Sequence, residues 1–302
     1  MEKELYFAGG CFWGVSRLFS LIRGVKDAIC GYANGHTVAP AYEDVYTDST
    51  GHAETVRVTY DPEVVSTGDL VRVFFASIDP LSRNRQGGDV GTRYRTGVYY
   101  TDEADRELIG PIFGSVSLSL GAPVVTELGP LECFYEAEER HQGYLEKNPG
   151  GYCHISPKSF RYLALCQDLK ALLGDETDTT ARMANAAAMI HFRMKFFWTG
   201  FYIACGEELV LGPFQGPEAC FRIRKGKGVC GAAWARNEVI VVPDVESFPG
   251  HISCSSLSRS EIVIPLHSGD GSISAVLDID SDRIGNFDED DARWLRLLVE
   301  II

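Results

Sequence analysis

The sequence predicts an α+β chain of two domains. Three observations carry this expectation. At 302 residues the chain is too long for one ordinary core. The stretch Gly174-Asp-Glu-Thr-Asp-Thr-Thr180 is polar and turn-prone, with strongly periodic sequence on both sides. Upstream of it, helix-like and strand-like segments alternate, which suggests an α/β sandwich; downstream, a run of strands is bracketed by two helices. The domains are therefore expected at 1–173 and 181–302, with 174–180 as the linker. No internal repeat relates them, so they are different modules.

The elements follow from side-chain periodicity. Glu4–Ala8 reads as a strand. Cys11–Ile22 reads as a helix, with Phe12, Val15, Leu18, Phe19 and Ile22 on one face. Val56, Val58 and Tyr60 alternate with Thr55, Arg57 and Thr59 in a half-buried strand. Ser66 and Asp69 stand at capping-box spacing before a helix from about Ser66 to Ile78. Thr96–Tyr100 is a strand and Glu136–Lys147 a predicted helix. After the linker, Ala181–Phe197 places Met183, Ala187, Ile190 and Met194 on one side of a helix. Strands are expected at Thr199–Ala204, Glu208–Gly212, Val239–Val242, Glu261–His267 and Ser272–Asp278, the last two joined by the turn Ser268-Gly-Asp-Gly271. Phe287–Ile301 closes the chain as a helix with acids in its first turn, where the helix dipole favours them.

Composition narrows the function. The net charge of -14 is shared by both halves, so neither has the basic balance of a nucleic-acid or anionic-membrane binder. No apolar run approaches a bilayer span. Met1-Glu-Lys-Glu-Leu5 leads directly into a strand without a signal peptide's apolar stretch, which makes the cytoplasm the expected address. Nine cysteines, an odd number with no CxxC pair, do not make a disulfide scaffold or a zinc ribbon. In a reducing compartment they are buried hydrophobes, metal ligands or reactive thiols. The first reading suits Cys30, Cys133 and Cys205, which sit within or beside apolar stretches.

Gly9-Gly-Cys-Phe-Trp-Gly14 places Cys11 between the first strand and the first helix. Free backbone N–H groups and the dipole at a helix N-terminus favour a thiolate, and Phe12 and Trp13 put an aromatic wall beside the sulfur. Taken alone, a buried cysteine at a glycine turn explains the string equally well. The segments GCFWG at 10–14, PAYEDV at 40–45, TGHAETVRVTYDP at 50–62, GTRYR at 91–95, FYEAEERHQGYL at 134–145 and NPGGYC at 148–153 decide the matter. In that order they resemble peptide methionine-(S)-sulfoxide reductase, the A-type enzyme, over nearly all of residues 4–160.

The resemblance implies a set of roles. Cys11 matches the nucleophile and Glu54 the acid, whose pKa a dry aromatic pocket would raise. Tyr42 and Tyr94 match the hydroxyls that hold the sulfoxide oxygen, and Asp89 a supporting carboxylate. Phe12 and Trp13 would receive the S-methyl group. Attack leaves a sulfenic acid on Cys11, which a second thiol condenses to a disulfide; Cys153 matches that resolving position. A thioredoxin-like donor would reduce the pair. Some relatives carry a further recycling cysteine. Here the next is Cys166, on an apolar helix-like run, and it reads as structural.

The other half carries Cys220, Cys230 and Cys254 in Gly- or Ser-containing contexts read as loops. His251 and Cys254 have HxxC spacing, but Cys220 and Cys230 fit no common zinc pattern, so no metal is expected. The strings GPFQGPEACFRI at 212–223, GKGVCG at 226–231, VPDVESFPGHISCSS at 242–256, SEIVIPL at 260–266 and VLDIDS at 276–281 resemble free methionine-(R)-sulfoxide reductase, a GAF-fold enzyme, across roughly 181–300. By this resemblance Cys254 is the attacking thiol, Cys220 the principal resolving partner and Cys230 an auxiliary thiol. Glu261, Asp278 and Asp280 match the pocket carboxylates, their roles undivided. Trp198 and Tyr202 match its aromatic side. The implied substrates are oxidised proteins and free methionine sulfoxide, with no organic cofactor, and a homodimer is compatible with the resemblance. GAF domains also serve as small-ligand sensors or dimerisation modules, so a regulatory, non-catalytic second half stands as the alternative.

Overall fold

The protein is described from a computed structural model over residues 2–252 and 256–302. The chain divides into two compact units, 1–160 and 161–302.

In the first unit, β1 (Lys3–Gly9) leads into α1 (Phe12–Ser20), β2 (Val25–Ala33), α2 (Tyr42–Tyr46), β3 (Ala53–Tyr60) and α3 (Thr67–Ser77). The short pair β4 (Arg85–Gln86) and β5 (Asp89–Val90) precedes β6 (Thr96–Tyr100), α4 (Glu103–Leu120), β7 (Glu127–Pro130), β8 (Phe134–Glu136) and α5 (Tyr144–Lys147). Six strands form one sheet in the order β7-β6-β1-β3-β2-β8, antiparallel except for β6 and β7. Leu5 and Phe7 of β1 register opposite Val58 and Val56 of β3, so these four share a face. Phe19 of α1 stacks on Phe7 at 4.4 Å and Phe74 of α3 packs on it at 5.2 Å, which seats both helices over that face. Ser66 caps α3 by accepting the Asp69 N–H at 3.0 Å, as its spacing predicts.

The helix expected over Glu136–Lys147 does not form. The segment instead holds the end of β8, a 3₁₀ turn at Glu139–His141, and the single turn α5. Gly143 sits at φ +57°, which interrupts a continuous helix, and the Gln142 side chain is spent on β2. Its amide accepts from the Cys30 N–H and donates to the Cys30 carbonyl, both at 2.9 Å, as a paired strand would.

In the second unit, α6 (Pro157–Leu173) contributes its residues from Arg161 onward, and α7 (Thr179–Met194) follows. Tyr162 donates to Asp291 at 2.8 Å, so α6 is anchored in this unit well before the polar turn at 174–180. The contact division therefore falls thirteen residues ahead of the sequence break at 173, which marks where the chain turns. Asp178, in that turn, caps α7 by accepting the Ala181 N–H at 2.8 Å. Strands β9 (Trp198–Cys205), β10 (Glu208–Gln215), β11 (Arg222–Arg224), β12 (Ile240–Val242), β13 (Ser260–His267) and β14 (Ile273–Ser281) form an antiparallel sheet in the order β11-β10-β9-β14-β13-β12. The helix α8 (Gly228–Arg236) covers the face bearing Trp198, Tyr202, Val263 and Val276. At the close, α9 (Glu289–Val299) begins with Asp288 accepting from the Asp290 and Asp291 N–H groups. Two cysteine readings change. Cys230 lies within α8 and not in a loop, and Cys205 is exposed because it stands at the end of β9 beside the hairpin turn to β10.

Gly10 holds the β1–α1 turn at φ +83°, and a Cβ there would meet the Gln86 Cβ at 2.6 Å. Gly10→Ala should therefore cost on the order of 2 kcal/mol or more in urea unfolding; a change below about 0.5 kcal/mol would show that the turn is not constrained.

Candidate active sites

The first site is built where α1 starts. Cys11 is its N-cap residue and only 6% exposed. The first free N–H groups of the helix are divided between two reactive side chains. Phe12 N–H donates to Glu54 Oε2 at 3.0 Å, and the Trp13 N–H serves the Cys11 sulfur. Glu54 projects from β3 and is buried. Burial pushes its carboxyl up to about 8, against the pull of that N–H. The same dryness, with the Glu54 charge second, holds the Cys11 thiol well above its ordinary value. The thiolate expected from the helix N-terminus is thus outweighed by burial: both groups keep their protons at neutral pH.

The other residues singled out from sequence gather around this pair. Burial and the Glu54 charge raise the hydroxyls of Tyr42, to about 12, and Tyr94. The Arg93 guanidinium lies 4.4 Å over the Tyr94 ring and is tied to Asp48 at 2.8 Å. Asp89 acts electrostatically on Cys11, Glu54 and Cys153. Cys153 lies against the first turn of α1, where a Cβ on Gly14 would come within 3.0 Å of its sulfur. The two thiols therefore border the same helix start.

Several members of the aromatic wall had no role assigned from sequence. Trp13 stacks on Tyr144 with ring centres 3.7 Å apart and donates its indole N–H to His141 at 3.2 Å. Burial keeps His141 below its ordinary pKa, which suits an accepting neutral ring. Tyr32 and the Tyr42 N–H both bond to Glu138, at 2.7 and 2.8 Å, which pins α2 to the wall. All of these except Tyr32 lie in strings quoted for the resemblance, so the signal was present without a geometry to interpret it. Cys30 packs beneath, its thiol 3.7 Å from the Phe12 carbonyl. Cys166 is buried on α6 and raised to about 12 by burial alone.

The second site lies on the sheet face under α8. Register places Asp280 between Glu261 and Trp198, and Asp278 between Val263 and Gly200, so three carboxyls and the indole share one face. Cys230 drops from α8 to within 3.9 Å of Glu261 Oε1. One donor atom each from Cys230, Glu261 and Asp278 lies within 4.8 Å of the others. A divalent cation could use such a set, but the crowding also has a proton chemistry of its own. Burial first, and the neighbouring acids next, hold Glu261 and Asp278 well above the carboxylate range, while Asp280 rises only to about 6. Burial also keeps the Cys230 thiol protonated. The aromatic pair tethers the segment carrying Cys220: Trp198 Nε1–H donates to the Pro217 carbonyl at 3.0 Å and the Tyr202 hydroxyl to the Cys220 carbonyl at 3.1 Å. His251 stands 3.7 Å from Glu261, and Ser258 also lines the pocket; neither was read as a carboxyl partner from sequence. Cys254 lies outside the described residues.

The first arrangement defines a thiol-dependent oxidoreductase. Residues 3–170 match the family model described as peptide methionine sulfoxide reductase, and residues 174–302 the model described as GAF domain. A peptide methionine sulfoxide reductase MsrA of Lachnoclostridium phytofermentans is 50% identical over 160 residues, covering 53% of this chain and 96% of that protein. Among solved structures, free methionine-R-sulfoxide reductase from Neisseria meningitidis is 49% identical over 49% of this chain and 89% of its own, with a TM-score of 0.47. Mxr1 from Saccharomyces cerevisiae is 35% identical over 51% of this chain and 91% of its own, with a TM-score of 0.49. The chain belongs to the peptide methionine sulfoxide reductase family and carries a GAF domain after the reductase domain. Among the described residues, no helix is long and apolar enough to cross a membrane.

The value of about 8 for Glu54 sets a pH signature. A carboxyl acting as acid must be protonated, and raising the pH through 8 removes that proton. Methionine formation at the first site should be level below pH 7 and fall about tenfold per unit above 8. Glu54→Gln should lower it by roughly 10² to 10⁴. A rate that climbs through pH 9, as for simple thiolate formation, would contradict this.

Proposed function

We propose that the chain is a bifunctional methionine sulfoxide reductase. Its first domain reduces methionine-(S)-sulfoxide, free or in proteins, and its second reduces free methionine-(R)-sulfoxide. The observation that carries the reading is a buried, proton-holding carboxyl beside a cysteine in each unit: Glu54 with Cys11, and Glu261 and Asp278 with Cys230. A sulfoxide sulfur is a poor electrophile until its oxygen takes a proton or a strong hydrogen bond. Such acids supply it.

In the first domain, Glu54 and the hydroxyls of Tyr42 and Tyr94 bind the sulfoxide oxygen while Phe12 and Trp13 enclose the S-methyl group. The Cys11 sulfur attacks the sulfoxide sulfur. The oxygen passes to Cys11 as a sulfenic acid, carrying the thiol's proton, and methionine leaves as the thioether. Cys153 then displaces the hydroxyl as water. A thioredoxin-type protein reduces the disulfide and restores both thiols.

In the second domain the three acids divide by their environments. Asp280, ionised above about 6, suits the ammonium of a free amino acid. Glu261 and Asp278, held neutral, suit the sulfoxide oxygen. Cys254 attacks, Cys220 resolves, and Cys230 pairs with Cys220 afterwards. A ligand sensor or dimerisation module has no use for a thiol set against two protonated acids, which is why turnover is favoured over the regulatory alternative. The cytoplasm is the proposed location, where a thiol donor is at hand.

Separated epimers test the reading in the full chain. Cys11→Ser should abolish S-sulfoxide reduction and leave R-sulfoxide turnover intact, and Cys254→Ser should do the reverse. Loss of both activities from either change would show the assignment to be wrong, and no R-sulfoxide turnover in Cys11→Ser would favour a sensing role for the second domain.

A further inference from the structure

The pocket under α8 gathers donor atoms that could serve more than a proton. Cys230 descends from the helix while Glu261 and Asp278 rise from the neighbouring strands β13 and β14. One donor atom from each lies within 4.8 Å of the other two, and the Cys230 sulfur stands 3.9 Å from Glu261 Oε1. Asp278 lines the same pocket and is 7% exposed, yet its Oδ1 is buried with no hydrogen-bond partner among the described residues. A buried carboxyl oxygen left unpaired costs stability unless a ligand supplies its partner. A nitrogen donor stands beside the trio: His251 also lines the pocket, with Nε2 3.7 Å from Glu261 Oε2.

We propose that Cys230, Glu261 and Asp278 form a site for one thiophilic divalent cation, with His251 placed to complete it, and that a cation held there closes the second pocket to the amino acid. One sulfur, two carboxylate oxygens and an imidazole nitrogen suit zinc, which takes four such donors tetrahedrally; magnesium and calcium favour oxygen alone. Tetrahedral zinc holds its donors roughly 3.5 Å apart, so the trio has to contract by little more than about 1 Å. The thiol and carboxyl protons leave as the cation enters, and its charge offsets the repulsion among three anions in a dry site. Closure of the pocket rests on the reaction proposed above: Glu261 and Asp278 cannot serve a sulfoxide oxygen while they hold a metal, and Cys230 cannot pair with Cys220. The cation site itself does not depend on that reaction.

Cobalt(II) is the spectroscopic probe and zinc the functional one, each added at one equivalent to the reduced, metal-free full chain. Cobalt should give a thiolate charge-transfer band and the ligand-field bands of a tetrahedral site, and zinc should displace both. Cys230→Ser should remove the charge-transfer band, and Asp278→Asn should weaken cobalt binding by about tenfold or more. Should Cys230→Ser not fold, zinc X-ray absorption of the unaltered chain gives an independent count: one sulfur per zinc, the other donors oxygen or nitrogen. In a single turnover without reductant, zinc should slow methionine release from the R-sulfoxide about tenfold or more and leave release from the S-sulfoxide within about twofold. Unchanged cobalt bands in Cys230→Ser, two or more sulfurs per zinc, or equal slowing with both epimers would overturn the site. Full-rate release from the R-sulfoxide by the zinc-loaded chain would overturn the closure. If the metal-free chain releases no methionine from the R-sulfoxide, the proposed activity fails, while the cobalt and absorption results still decide the site.

Discussion

Excluding water from a carboxyl that stands beside a thiol is the constraint on which both sites depend. A carboxylate taken out of water without a countercharge is so costly that the group keeps its proton instead. The two domains reach this condition by different folds. In the first, one strand side chain, Glu54, is trapped beneath a helix start and an aromatic wall. In the second, cross-strand register forces Glu261, Asp278 and Asp280 onto one face and α8 closes over them with Cys230.

The same exclusion decides the state of the sulfur. A helix N-terminus is worth up to about 2 kcal/mol to an anion, little more than one pKa unit. Full burial shifts such groups by several units. Burial wins at Cys11, so the thiol is held protonated. In the proposed reaction, ionisation and attack are then coupled to the presence of the sulfoxide. A thiol kept neutral is also a poor target for stray oxidants, which react with thiolates.

Much of this was legible in the sequence because it is local. The alternation of β3, the Ser66 cap of α3 and the 268–271 hairpin turn follow from neighbouring residues, and the quoted strings carry Cys11, Glu54, Tyr42, Tyr94 and Cys153, which the resemblance assigns to one site. What could not be read is long-range. Glu136–Lys147 has helical periodicity, yet it is spent on partners far along the chain: Gln142 on Cys30, Glu138 on Tyr32 and Tyr42, His141 and Tyr144 on Trp13. The glycines around Cys230 suggest a loop, but they allow close helix packing, since a Cβ at Gly231 would lie 2.4 Å from the Arg224 carbonyl. The different pKa shifts of Glu261, Asp278 and Asp280 depend on depth of burial, which no spacing encodes.

The account makes cysteine sulfur the reagent in each domain, cycling through a covalent pair of its own. Peptide mass mapping of the oxidised chain, after one turnover with each separated epimer in turn, tests this most directly. It should find a Cys11–Cys153 link after the S form and a link of Cys220 to Cys254 or Cys230 after the R form. Identical linkages from both epimers, or methionine released with all the thiols still free, would contradict it.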